Sequence, residues 1–130
     1  MSQAIVLVDD EKVILDSLKS QLASHFRDRF LYETAESVAE AWEIIDELVE
    51  VDTRIIVIVS DWLMPGTKGD EFLIDLKAKH PQIRTVLLTG HADAAAVKRA
   101  TDEGAVGRVL HKPWEASELR EIVESAVAPG

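Results

Sequence analysis

Four short apolar runs constrain this chain more than any other feature: Ala4 to Val8, Ile55 to Val59, Ile83 to Leu88 and Val106 to Leu110. Three of them are nearly continuous in Val, Ile and Leu, the pattern of strands buried on both faces. A fifth run, Phe30 to Ala35, mixes acidic and aromatic residues with apolar ones and reads as a less buried edge strand. Between the runs apolar residues recur at three- and four-residue steps, the helical period. Ile14, Leu15, Leu18, Leu22 and Phe26 form one such stripe, and Val38, Trp42, Ile45 and Leu48 another, with Ser37 and Glu40 placed to form a capping box. Phe72, Leu73 and Leu76 give a third, ended by His80-Pro81. Ala92 to Glu103 is alanine-rich and stops at Gly104, and Leu119, Ile122, Val123, Ala126 and Val127 form the last stripe.

Strand and helix thus alternate five times, which predicts a doubly wound α/β fold with a parallel sheet. At 130 residues, with short linkers and no internal repeat, residues 1–130 read as a single domain. Pro129-Gly130 is either a plain end or the start of a linker. Hydrophobic residues make up 47%, which excludes a disordered chain. The absence of cysteine excludes a disulfide scaffold, thiolate metal sites and thiol catalysis. With 24 acidic against 14 basic residues the formal charge is −10, which argues against direct nucleic-acid binding and against an anionic membrane. No run is long enough to span a bilayer, and no basic stretch precedes an apolar one at the N-terminus. The expectation is a cytoplasmic protein.

In an open α/β sheet, ligands bind outside the carboxyl ends of the strands. The residues that follow the runs are therefore the candidates: Asp9, Asp10 and Glu11, then Ser60 and Asp61, then Thr89, Gly90 and His91, then His111, Lys112 and Pro113. Each has a plainer role available. Asp10 can cap the first helix, Thr89 can cap the fourth, and Lys112 can be a solvated charge. Together, crowded aspartates repel one another unless a cation intervenes. A hard divalent ion, most simply Mg²⁺, meets that need with oxygen ligands. A cation, a lysine and a hydroxyl beside a free carboxylate suit a phosphoryl group, which that carboxylate would accept as an acyl phosphate.

These residues carry a resemblance. The chain is similar to the receiver domains of two-component response regulators over nearly its whole length. The resemblance rests on Val8-Asp9-Asp10-Glu11, on Asp61-Trp62-Leu63-Met64-Pro65 with Gly69 eight residues past Asp61, on Thr89-Gly90 and on Lys112-Pro113-Trp114. It implies a flavodoxin-like (βα)5 fold with five helices and strand order 2-1-3-4-5. It implies Asp61 as phosphoacceptor, and Asp10, Asp61 and the backbone carbonyl of Leu63 as Mg²⁺ ligands, with Asp9 behind them. Lys112 would pair with the aspartate and then with a phosphoryl oxygen, Thr89 would be the switch hydroxyl, and the Lys112–Pro113 peptide would be cis. The implied phosphoryl donor is a histidine kinase or a phosphotransfer protein. The implied recipient of the signal is an output domain or a downstream protein, and a homodimer is allowed. Such a domain catalyses only its own phosphorylation and dephosphorylation.

The sequence also departs from the family. A Tyr or Phe usually stands three residues before the lysine, and here that residue is Val109, which predicts altered coupling of the switch rather than lost phosphorylation. Leu63 and His91 occupy positions that influence phosphoryl lifetime in receivers. Trp62, beside Asp61, is expected to report metal binding by fluorescence. Trp114 gives a Lys-Pro-Trp ending seen in receivers fused to output domains; its plainer role is packing against the last helix. The usual signalling face carries Lys98, Arg99, Arg108, Glu118, Arg120 and Glu121, and Arg108 stands where one dimeric subfamily has Asp, which argues against that subfamily's salt-bridge network. Three competitors fit less well. A phosphatase using an aspartyl phosphate needs a second Asp where Leu63 stands. A flavin protein needs a phosphate-cradling loop where Asp9-Asp10-Glu11 stands. A phosphorylation-independent interaction scaffold would not need Asp10, Asp61, Thr89 and Lys112.

Overall fold

The computed structural model describes residues 2–61, 69–90, 98 and 107–127. Within them run β1 (Gln3–Val8), α1 (Lys12–Phe26), β2 (Leu31–Ala35), α2 (Val38–Glu50), β3 (Arg54–Asp61), α3 (Gly69–Lys79), β4 (Arg84–Thr89), β5 (Arg108–His111) and a C-terminal helix, α4 (Ala116–Val127). α4 corresponds to the fifth helical pattern of the sequence. Of the helix expected over 92–103, only Lys98 is among the described residues, and it is helical and exposed.

All strand pairs are parallel, in the order β2-β1-β3-β4-β5. This is the doubly wound, flavodoxin-like arrangement expected. The three inner strands are buried almost throughout, whereas β2 is only half-buried, as an edge strand should be. The apolar runs work because both sheet faces are covered. Ala4, Val6 and Val8 of β1 pack with Ala41, Ile45 and Leu48 of α2 and Phe72, Leu73 and Leu76 of α3. The alternate residues Ile5 and Leu7 pack on the other face with Leu15, Leu18 and Leu22 of α1 and Leu119, Ile122 and Val123 of α4. Ser37 caps α2 by accepting the Glu40 N–H at 3.1 Å. Trp42 packs on the α2–α3 layer, edge-on to Phe72 with ring centroids 5.4 Å apart.

One irregularity matters for the site. The register runs Ala4 to Ile55 but Ile5 to Val57, so β3 carries one extra residue, Ile56, at a bulge. Strand side chains alternate faces, so an inserted residue inverts every later position. Ile55 faces the α2–α3 layer, yet Val57 and Val59 face the α1–α4 layer. Continued to the strand end, this alternation places Asp61 on the α1–α4 side.

The layering predicts a sharp contrast in stability. Leu18→Ala, at a fully buried position of α1, should cost about 2–5 kcal/mol in urea unfolding. Val13→Ala on the same helix, 74% exposed, should change stability by no more than about 0.5 kcal/mol.

Candidate phosphoryl and metal site

Three of the candidates belong to one side of the sheet. In β5 Leu110 packs in the α1–α4 layer, so alternation directs Lys112 the same way. In β1 Leu7 does so, which directs Asp9 there as well. Asp61 joins them because of the bulge. The outcome is an ion cluster: the Lys112 ammonium lies 3.2 Å from Asp9 Oδ2 and 3.2 Å from Asp61 Oδ1. The Asp9 side chain is fully buried and that of Asp61 is 8% exposed, while Lys112 keeps 21% exposure.

The backbone fixes the cluster from three directions. Asp9 N–H donates to the Ala35 carbonyl at the end of β2 (3.1 Å), and Lys112 N–H donates to the Thr89 carbonyl at the end of β4 (2.8 Å). Glu11 N–H donates to Asp9 Oδ1 at 2.8 Å. The N-cap of α1 is Glu11, with no side-chain cap, so Asp10 does not serve as the helix cap. Asp10 is exposed instead, and one carboxylate oxygen from each of Asp9, Asp10 and Asp61 lies within 4.8 Å of the others. The donor set is all carboxylate oxygen, the chemistry that hard divalent cations prefer. These residues can therefore hold a metal ion.

The electrostatics couple the lysine to both carboxyl groups. Burial pushes the Asp9 carboxyl above its ordinary value of 3.8. The Glu11 N–H opposes that push, the Asp61 charge adds to it, and Lys112 opposes it again. For Lys112, burial acts to lower the ammonium's value. The charges of Asp61 and then Asp9 outweigh burial and raise it above 10.5. Lys112 is therefore charged at neutral pH, beside two buried carboxyl groups.

Thr89 stands at the same sheet edge with the opposite parity. It is the last residue of β4, and Leu87 of the same strand packs in the α2–α3 layer, so Thr89 shares that side. It is 1% exposed, and its hydroxyl has no hydrogen-bond partner among the described residues. A buried hydroxyl without a partner costs stability. Val109 is half-buried and packs against the same layer.

The structure thus brings together Asp9, Asp10, Asp61 and Lys112, with Thr89 ending the adjacent strand. Leu63, Trp62, His91 and Arg99 lie outside the described residues. The Lys112–Pro113 peptide is cis. Trp114 packs on the α1–α4 layer and donates its indole N–H to Gln21 Oε1 of α1 at 2.7 Å. Sequence reasoning missed the Lys112–Asp9 contact and the Gln21 contact. Both join residues about a hundred positions apart, and no local pattern reports them.

The raised value of Asp9 has a definite consequence for stability. The folded chain holds that proton more tightly than the unfolded chain does. The cost of Asp9 is therefore absent below pH 3.8, grows as pH rises toward the raised value, and is complete only above that value. Asp9→Asn should raise the thermal midpoint in chelator at pH 7 by about 3–6 °C. The gain should shrink as pH falls toward the ordinary carboxylate value, which melting curves across pH will check.

Comparison with known proteins gives these residues a context. The family model for the response regulator receiver domain matches residues 5–124. The hydrogenase transcriptional regulatory protein HoxA of Cupriavidus necator is 28% identical over 123 residues, covering 95% of this chain and 24% of HoxA. The transcriptional regulatory protein FixJ of Bradyrhizobium diazoefficiens is 32% identical over 123 residues, covering 95% of this chain and 56% of FixJ. The chain thus spans about a quarter of the one relative and just over half of the other. A response regulator receiver domain protein from Clostridium thermocellum superposes with a TM-score of 0.82 at 30% identity, covering 98% of this chain and 94% of that one. Sheet order, acidic cluster and lysine all agree with the match over residues 5–124, and the chain belongs to the receiver domains of two-component response regulators.

Proposed function

We propose that the chain is a phosphorylation-switched receiver acting as one domain over residues 1–130, with Asp61 as phosphoacceptor. The observation that carries this reading is the shared lysine: Lys112 lies 3.2 Å from both Asp9 and Asp61 at the carboxyl edge of the sheet. That is a cation held where a phosphoryl oxygen would arrive. A carboxylate oxygen of Asp61 attacks phosphorus. The new O–P bond forms as the bond to the donor breaks, and the leaving group, an imidazole or acetate, departs with the electron pair. Lys112 turns from the carboxylates toward a phosphoryl oxygen, and the Thr89 hydroxyl donates to another.

Asp10, Asp61 and the Leu63 carbonyl would hold Mg²⁺, with Asp9 behind them. The ion, when bound, neutralises carboxylate and phosphoryl oxygens together. Asp9 keeps the ammonium and the carboxylates in register through its bond from Glu11 N–H. The donor would be a histidine kinase or a phosphotransfer protein. The recipient of the signal would be an output domain or a downstream protein; HoxA and FixJ are named transcriptional regulators, and the chain matches only part of each. A homodimer is compatible with this reading. No direct contact with nucleic acid or membrane is proposed, in keeping with the charge of −10 and with the lack of any membrane-spanning helix among the described residues. The compartment that fits is the cytoplasm. Val109 packs where the family usually places an aromatic ring, so the signal would leave through loop and helix shifts.

Intact mass after incubation with acetyl phosphate and Mg²⁺ tests the reading. One phosphoryl group per chain is expected, absent from Asp61→Asn and from a chelated sample. Lys112→Ala should slow the reaction by about 100-fold. If a phosphohistidine donor also leaves the mass unchanged, and a fluoroberyllate mimic leaves tryptophan fluorescence unchanged, the chain acts as a phosphorylation-independent scaffold.

A further inference from the structure

The edge of the sheet opposite the acidic site carries a separate feature. A cavity of about 130 Å³ lies between the starts of β4 and β5 and the last turns of α4. Val57, Val86, Ile122 and Ala126 line it with apolar surface, and Arg84 and Arg108 line it with charge. Arg108 pairs across the sheet with Val86, two residues past Arg84. Val86 packs in the α1–α4 layer, so alternation sends both arginine side chains out on that face, at neighbouring strand starts.

The corner is rigidly built. Gly107 N–H donates to the Thr85 carbonyl (3.1 Å) and to Thr85 Oγ1 (3.0 Å). A Cβ at residue 107 would stand 3.0 Å from the Thr85 carbonyl oxygen, so any other residue would press the strand starts apart by a few tenths of an ångström. That approach sets the spacing of the two arginines.

Both arginines are exposed, and neither guanidinium has an ion-pair or hydrogen-bond partner among the described residues. The chain holds 24 acidic residues, so carboxylates are not scarce. A cation beside the end of a helix ordinarily offsets the charge of its last carbonyls. α4 has no basic residue in its last turn, yet neither arginine donates to it among the described residues.

We infer that this corner docks a partner polypeptide that presents an Asp or Glu carboxylate beside a branched aliphatic side chain. The aliphatic group enters the cavity, and the carboxylate bridges Arg84 and Arg108. A void of about 150 Å³ accommodates benzene, so the room here suits one Leu, Ile or Val side chain. Guanidinium groups match carboxylates with two parallel hydrogen bonds, which fixes the orientation of the partner. The remaining surface of so acidic a chain repels an acidic segment, which directs it to this corner. The site is at the opposite sheet edge from Asp61, so both can be occupied at once. It stands independently of the phosphoacceptor reading.

Amide chemical shifts of the whole chain, titrated with the capped dipeptide acetyl-Glu-Leu-amide, test the inference. Saturable shifts at Thr85, Val86, Gly107 and Arg108 are expected at millimolar peptide. Acetyl-Gln-Leu-amide should bind about tenfold more weakly. The double variant Arg84→Gln, Arg108→Gln should lose the response and keep its melting temperature, because both side chains are exposed. No localised shift, equal affinity for the two peptides, or a response that survives the double substitution would each overturn the inference. Sedimentation equilibrium of wild type and double variant adds a further arm: self-association through this corner would make the occupant a second copy of the chain and overturn the partner assigned here.

Discussion

One lysine shared between two buried carboxylates is the interaction on which the rest of the structure depends. Lys112 reaches Asp9 and Asp61 equally, and Asp10 stands within carboxylate distance of both. Three acids against one ammonium leave the cluster electrically incomplete, and burial makes that imbalance costly. Burial first, and then the Asp61 charge, raise the carboxyl value of Asp9. A site so built is stabilised by whatever brings positive charge to it. A hard cation would do so, and relief of the repulsion would contribute to its affinity. In the proposed reading the same ammonium would then be free to meet phosphoryl oxygens.

The sheet makes this arrangement with little help from loops. Asp61 and Thr89 are the terminal residues of their strands, and Asp9 and Lys112 each follow one directly. The bulge at Ile56 sends Asp61 to the side of the sheet occupied by Asp9 and Lys112. Strict alternation from Ile55 onward, with no bulge, would instead send Asp61 toward α2 and α3, away from its lysine. Thr89 keeps the opposite parity, so its hydroxyl approaches from the α2–α3 side, where Val109 also packs. Charge and hydroxyl thus stand at the same sheet edge with opposite strand parity.

Much of this was legible in the sequence because it is local. Apolar runs marked the strands, stripes marked the helices, and the mixed composition of Phe30 to Ala35 marked an edge, which the half-burial of β2 bears out. The residues after each run marked the site edge because parallel strands all end on one side. The bulge was not legible: Ile55 to Val59 is uniformly apolar, so nothing in the run tells which residue is extra. Nor was the contact between Lys112 and Asp9, since a lysine beside two aspartates reads the same whichever it touches. The Gly107 corner was equally hidden, because its requirement comes from the Thr85 backbone of a neighbouring strand.

The central claim is that the acidic cluster is incomplete until a cation enters it. Calorimetric titration of Mg²⁺ into chelator-treated protein at fixed pH tests it most directly. The account predicts one saturable ion per chain, with binding lost in Asp61→Asn and in Asp10→Asn. Absence of saturable binding in the wild type, or binding that survives both substitutions, would contradict it.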